Sequence, residues 1–292
     1  MSKICENRTT IVTGAGSGLG RAHALALADE GANVVVNDIN VDAAVTVVEE
    51  IKGAGGKAIV DRHDITSWEE SGKIIKSSLE TFGDIHAVVN NAGIVRDRMF
   101  TSMSEQEWDA VIEVHLKGHF CVTNHAARYW REQFKAGREV SGRIINTSSA
   151  AGLQGSIAQS NYAAAKGGIA TLTLVQAAEM NRYGVTANTL APQARTGMTE
   201  VLFSEMMKKP EFGFDIYDPA NVSPLVVWLA SAFSGDITGC CFEIFGGKIS
   251  VADGWRTGPE FDKGERWIPS EIGESVRKLV KQAVPPQKIY GT

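Results

Sequence analysis

Several features are missing from this sequence, and each absence removes a class of function. No apolar run approaches the roughly 18 residues that a bilayer-spanning helix needs, so no membrane association is expected. There is no excess of basic residues: Lys and Arg total 29 against 34 Asp and Glu, for a formal charge of −5. A pI of about 5.7 with unclustered cations gives no electrostatic footprint for nucleic acid. Only four cysteines occur, Cys5, Cys121, Cys240 and Cys241, and two of these are adjacent. That spacing builds neither a disulfide framework nor a CxxC site, so reduced thiols and no metal are expected. The amino-terminal stretch lacks the apolar segment of a secretory signal, and a cytoplasmic location is the expectation. No GxSxG elbow and no GxxxxGK[ST] loop is present, which disfavours a hydrolase or an NTPase.

What is present is a regular alternation of short Val/Ile-rich runs with longer helical patterns. Strands are expected at Thr9–Thr13, Asn33–Asp38, Lys57–Asp61, Ile85–Asn90, Gly142–Thr147, Gly184–Ala191 and Cys240–Phe245. Helices are expected near Leu19–Glu30, Val41–Lys52, Ser67–Phe82, Ser104–Ala136, Asn161–Arg182 and Pro219–Ser231. Val34-Val35-Val36 is apolar without alternation, as in a strand covered on both faces. Such alternation builds right-handed βαβ units. The expected fold is a single α/β domain over residues 1–250, a doubly wound, mostly parallel, seven-stranded sheet of the Rossmann type. Its ligands belong beyond the carboxyl ends of the strands. Residues 251–292 form an extension in which Trp255, Phe261 and Trp267 lie among Gly, Pro and charges. It should end in a helix with Ile272, Val276, Leu279 and Val280 on one face, packed over the substrate cleft or on a partner subunit.

Gly14-Ala15-Gly16-Ser17-Gly18-Leu19-Gly20 follows the first strand and opens the first helix. Glycine there permits a tight turn and lets backbone N–H groups approach a pyrophosphate at the helix N-terminus. Asp38 ends the second strand, 18 residues after Gly20. A carboxylate at that place accepts hydrogen bonds from ribose hydroxyls and repels a 2′-phosphate, which favours NAD over NADP. The plainer reading of Asp38 is a cap for the helix near Val41.

Tyr162 and Lys166 stand four apart in a helical segment, hence on one face. A phenol is a poor base at neutral pH, and a neighbouring ammonium should lower its pKa toward the working range. Tyr162 then exchanges a proton with an alcohol while hydride leaves the carbon. Ser149, just beyond the fifth strand, is placed to hold the substrate oxygen. Ser148 competes for that role, and for either the plainer reading is a turn cap.

Together, T-G-x-x-x-G-x-G at Thr13–Gly20, N-N-A-G at Asn90–Gly93, Ser149, and Y-x-x-x-K at Tyr162 and Lys166 resemble the short-chain dehydrogenase/reductase family. The resemblance implies Ser149, Tyr162 and Lys166 as catalytic residues. It implies a cofactor site of Gly14, Ser17, Gly18, Leu19, Gly20, Asp38, Asp64, Ile65, Asn91, Ala92, Gly93, Tyr162, Lys166, Pro192 and Thr196. The family has glycine after the proline where this sequence has Gln193. It also has asparagine, a proton-relay residue, where this sequence has His115. His115 either holds the relay water, titrates near neutrality, or is simply packed. Asn90–Phe100, Val114–Phe120 and Ser223–Leu229 are similar to the (3R)-hydroxyacyl-CoA dehydrogenase unit of peroxisomal multifunctional enzymes, which is also a 17β-hydroxysteroid dehydrogenase. The resemblance therefore implies a secondary-alcohol dehydrogenase acting on a 3-hydroxyacyl-CoA. A hydroxysteroid or similar lipophilic substrate, or a non-catalytic NAD-binding sensor, are the rivals. The segment Thr196–Phe214, with Met198, Met206, Met207, Phe212 and Phe214, resembles the family's substrate loop. Arg96, Arg98, Lys208 and Lys209 are candidates for meeting CoA phosphates. A homodimer or homotetramer is the implied assembly.

Overall fold

The computed structural model describes residues 3–197, 207–285 and 287–290. Eight strands form one sheet in the order β3-β2-β1-β4-β5-β6-β7-β8. They are β1 (Thr9–Thr13), β2 (Asn33–Asn37), β3 (Lys57–Asp61), β4 (Ala87–Asn90), β5 (Gly142–Thr147), β6 (Val185–Gln193), β7 (Cys241–Phe245) and β8 (Lys248–Val251). All neighbours pair in parallel except β7 and β8. The order reverses between β1 and β4, so a crevice opens there at the strands' carboxyl ends.

The helices are α1 (Gly18–Asp29), α2 (Val41–Gly53), α3 (Trp68–Phe82), α4 (Glu105–Ile112), α5 (Gly118–Lys135), α6 (Ala150–Gln154), α7 (Ser160–Met180), α8 (Ser223–Ala230) and α9 (Ile272–Gln282). Their starts follow side-chain chemistry. Asn40 caps α2, Ser67 caps α3, and Ser104 with Glu107 forms a capping box at α4. Gly83, in the left-handed region at φ 80°, ends α3.

The uniform apolar strands serve two cores. Val34 and Val36 pack in one apolar cluster with α1, α2 and α8, whereas Val35 faces another with α3 and α5. Trp130 of α5 is buried in the second cluster, and its indole N–H donates to the Ile85 carbonyl at 2.7 Å.

Two features depart from the sequence reading. The seven-strand expectation is corrected to eight. Gly246-Gly247 makes a two-residue reversal, with Gly246 at φ 55°, and Lys248–Val251 pairs antiparallel with β7. All four residues of β8 are exposed, so no apolar run marked it as a strand. The long helix expected over Ser104–Ala136 is interrupted by a π-helical turn at Glu113–Lys117.

The extension beyond β8 is irregular up to α9. Phe261 and Trp267 pair at 5.8 Å and Lys263 lies over the Trp267 ring. No residue of α9 is buried. No helix among the described residues is long and apolar enough to cross a membrane.

Candidate active site

One cavity of about 480 Å3 runs along the carboxyl ends of the strands. Nearly every residue expected at the site lines it: Gly14, Ser17, Gly18 and Leu19, then Asp38, Asp64, Ile65, Asn91, Ala92, Gly93 and His115. Ser149, Tyr162, Lys166, Pro192 and Thr196 complete the set. Gly20 stands back from the cavity. A Cβ there would lie 2.1 Å from the Gly14 carbonyl oxygen, so its smallness serves the close packing of helix against turn.

The glycine turn fits a phosphate group. A Cβ on Gly14 would meet the Ala92 backbone at 2.7 Å, and the turn takes φ 61° at Gly14 and 51° at Gly18. The N-cap of α1, Ser17, makes no side-chain cap, and the first turn carries no acidic residue. The helix N-terminus therefore offers backbone donors and a positive dipole end to an anion. Asp38 is tied into the same turn: its carboxylate accepts from the Gly16 N–H at 2.9 Å and the Asn40 N–H at 2.8 Å. The helix-capping alternative falls to Asn40, whose side chain accepts from the Ala43 N–H.

At the other end of the cavity, Ser149 and Tyr162 come together. The Ser149 hydroxyl, which accepts from the Ala151 N–H, lies near enough to the Tyr162 phenol to act on its ionisation, in the lowering direction. Ser148 is spoken for: it is buried and its hydroxyl donates to the Lys166 carbonyl at 2.8 Å. Asn161, fully buried, locks the start of α7. Its Nδ2 donates to the carbonyls of Arg96 and Glu107, and its Oδ1 accepts from the Tyr162 N–H.

The electrostatics run opposite to the expectation from the four-residue spacing. Lys166 Nζ donates to the Thr147 carbonyl at 2.6 Å and lies 5.5 Å from the centroid of the Tyr162 ring. Burial lowers its pKa to about 7. Burial likewise raises the Tyr162 phenol to about 12, against the lowering effect of Ser149. Spacing put the two side chains on one face, but desolvation dominates both groups.

His115 does not titrate near neutrality. Burial, then the Lys166 charge, holds its pKa well below the usual value. Its Nε2 lies 3.0 Å from the Ile94 N–H and 2.7 Å from the Ile94 carbonyl, so the tautomer decides which bond forms. Its Nδ1 is buried without a hydrogen-bond partner, and the ring meets Tyr162 edge-on at 5.2 Å. The space it fills exists because residue 93 is glycine: a Cβ there would stand 2.2 Å from His115 Cε1. Thus His115 packs against the Tyr162 ring, carried there by the π turn.

Some side chains were placed differently from expectation. Arg98 is engaged by Glu107 through two donors at 3.1 and 2.9 Å. Arg195, whose guanidinium meets the Asp215 carboxylate and the Met207 carbonyl, braces the segment after β6. Met207 is buried on the cavity, whereas Phe212 and Phe214 are exposed. Met198 and Met206 lie outside the described residues. Gln159 and Tyr290 also line the cavity, and sequence reasoning did not single them out. Gln159 stands one residue before α7. Tyr290 is reached only by the fold of the extension and had no pattern to announce it.

Comparison with known proteins shows the family. The family model for short chain dehydrogenases matches residues 8–206. The chain is 42% identical to hydroxyacyl-CoA dehydrogenase ChsB1 of Mycobacterium tuberculosis, over 98% of this chain and 93% of that protein. It is also 42% identical to the peroxisomal multifunctional enzyme type 2 of Mus musculus, over 86% of this chain but only 33% of that longer protein. Among solved structures, a short chain dehydrogenase from Mycobacterium avium superposes with a TM-score of 0.92 at 56% identity. That superposition covers 99% of this chain and 100% of the other.

Proposed function

The chain belongs to the short-chain dehydrogenase family, an oxidoreductase family that uses a nicotinamide dinucleotide, and on that premise we propose that it interconverts a 3-hydroxyacyl-CoA and its 3-oxo counterpart with NAD(H). The observation that carries the reading is one cavity that joins the glycine turn and Asp38 to the Ser149–Tyr162 pair with Lys166 beneath. The substrate class is supported by relatives named for hydroxyacyl-CoA dehydrogenation and for peroxisomal hydratase-dehydrogenase-epimerase activity. NAD over NADP is supported by Asp38, whose carboxylate is fixed at the turn while Ser17, Asn37 and Ile39 bring no cation.

In this reading Ser149 holds the substrate oxygen and Tyr162 exchanges a proton with it. The hydride would be exchanged with a nicotinamide ring held between the glycine turn and Lys166. With its pKa near 12, the phenol keeps its proton at neutral pH, the form that protonates a nascent alkoxide. In the oxidising direction that proton must leave, and a charged Lys166 lowers the cost of the phenolate. Pro192 and Thr196 border the cavity on the β6 side, and Asn91 to Gly93 on the β4 side. The enzyme is taken to act in the cytoplasm on a freely diffusing substrate, as a homodimer or homotetramer. Exposed apolar side chains on α7 (Leu174, Val175) and on β8 (Ile249, Val251) support the assembly.

The test is NADH formation from a panel of 3-hydroxyacyl-CoAs and hydroxysteroids. We expect the thioesters to turn over, and Tyr162→Phe to lose about thousandfold in turnover with dinucleotide affinity intact. Selective turnover of the steroids would move the substrate class. Full activity of the phenylalanine variant would remove the proton-transfer role.

A further inference from the structure

The extension makes a long excursion and then comes back. Asp253 bonds Arg256, Lys263 bonds Glu265 and Glu271, and α9 has no buried residue, so these residues hold to one another. Tyr290 then docks on the catalytic domain. Its backbone N–H donates to the Gly155 carbonyl at 3.0 Å, and it forms a parallel bridge with Ser156. The docking strip is the connection between α6, capped by Ser149, and α7, which carries Tyr162.

That connection is already held in sparsely populated backbone. Ala158 has φ 63°, a left-handed value costly for a residue with a Cβ, and its carbonyl accepts from the Arg98 N–H at 2.7 Å. The strip is therefore fixed from both sides, by the segment after β4 and by the end of the extension. Tyr290 lines the same cavity as Ser149, Gln159 and Tyr162. It is half-buried, and burial followed by the nearby Tyr217 raises its phenol pKa. It is close enough to Tyr162 to act on that phenol's ionisation.

We propose that Tyr290 is a specificity-determining residue: its ring walls the substrate end of the cavity and sets how large a group is accepted beside the reacting carbinol. The inference rests on the dehydrogenase reading above, though not on the thioester being the substrate. An aromatic ring is suited to such a wall, because it is large and rigid and brings a polar tip. The extension is then part of the substrate site, and the remote residues 253–285 serve to deliver its last turn of chain.

The experiment uses the full-length protein and secondary alcohols of graded size: short, medium and long 3-hydroxyacyl-CoAs, and hydroxysteroids. Variants are Tyr290→Ala and Tyr290→Phe. With Tyr290→Ala, the short substrates should lose about tenfold in kcat/KM, chiefly through KM. Bulkier ones should keep theirs, so the large-to-small selectivity ratio rises about tenfold. Tyr290→Phe keeps the ring and should keep the wild-type ratio. Dinucleotide affinity, read by NADH fluorescence, should stay within about twofold in both. A selectivity ratio unchanged in Tyr290→Ala would overturn the proposal. So would an equal loss for every substrate accompanied by weakened dinucleotide binding, the mark of a merely structural anchor. Wild-type enzyme that turns over only steroids would sink the thioester reading, while the size ratio among steroids would still judge Tyr290.

Discussion

Lys166 is 2% exposed, and its ammonium is stripped of water with the Thr147 carbonyl as its hydrogen-bonded acceptor. The cost of that burial is measurable as stability. Its pKa moves from 10.5 to about 7, which at about 1.4 kcal/mol per pH unit corresponds to about 5 kcal/mol. Between these two values the unfolded chain holds the proton and the folded one does not, so stability rises with pH over that window. Below about pH 7 the folded lysine is charged and the full cost is present. Lys166→Met keeps an apolar stem, removes the titrating group and leaves the Thr147 carbonyl short of a donor, a loss of about 1–3 kcal/mol. The inactive variant should therefore be more stable than wild type at pH 7 by about 2–4 kcal/mol. That advantage should vanish, and reverse to a deficit of about 1–3 kcal/mol, as pH approaches 10.5. His115 and His119, the titratable groups that feel Lys166, are pushed well down by burial and stay neutral across the window. Urea unfolding of both proteins at pH 7 and pH 10 gives the difference directly. The same wild-type-to-variant gap at both pH values would show that the lysine is not strained by its burial.

Asp38→Ala should raise the NADP-to-NAD ratio of kcat/KM by about tenfold to hundredfold, the worth of removing about 1–3 kcal/mol of repulsion. An unchanged ratio in steady-state kinetics would show that the carboxylate is only a brace for the Gly16 N–H. Gly93→Ala forces a methyl group to within 2.2 Å of His115 Cε1, in a place where the ring is 1% exposed. We expect a loss of about 1–3 kcal/mol in thermal or urea unfolding together with lower turnover. A variant of wild-type stability would mean the ring moves aside freely.

The parts of this molecule that sequence revealed are those with a repeating or local physical cause. The triple valine of β2 announced a strand covered on both sides. The glycine cluster between β1 and α1 was readable because a turn at a helix start needs that backbone freedom. The pairing of Tyr162 with Lys166 followed from helical geometry. Other features depend on what the folded surroundings do. The hydroxyls of Ser148 and Ser149 are equivalent on paper, and only the fold sends one to a carbonyl and the other to the phenol. The sense of the pKa changes at Tyr162 and Lys166 came from burial, which no spacing rule contains. β8 is four exposed residues behind a double glycine, too short and too wet to leave a pattern. Tyr290 stands beyond α9, in a short stretch of irregular chain that carries no pattern of its own.

The π turn at Glu113–Lys117 accommodates one more residue than an α-helical turn would. Everything after it inherits the resulting phase. Removing a single residue from this turn would let the helix run on regularly and rotate α5 by about 100°. Cys121, Val122, Ala126 and Trp130, now buried, would swing toward water as a group, and the His115 ring would leave its seat on Gly93. This stretch is thus far more sensitive to a change in length than to a change in letter, and a one-residue gap here is incompatible with both core and site at once.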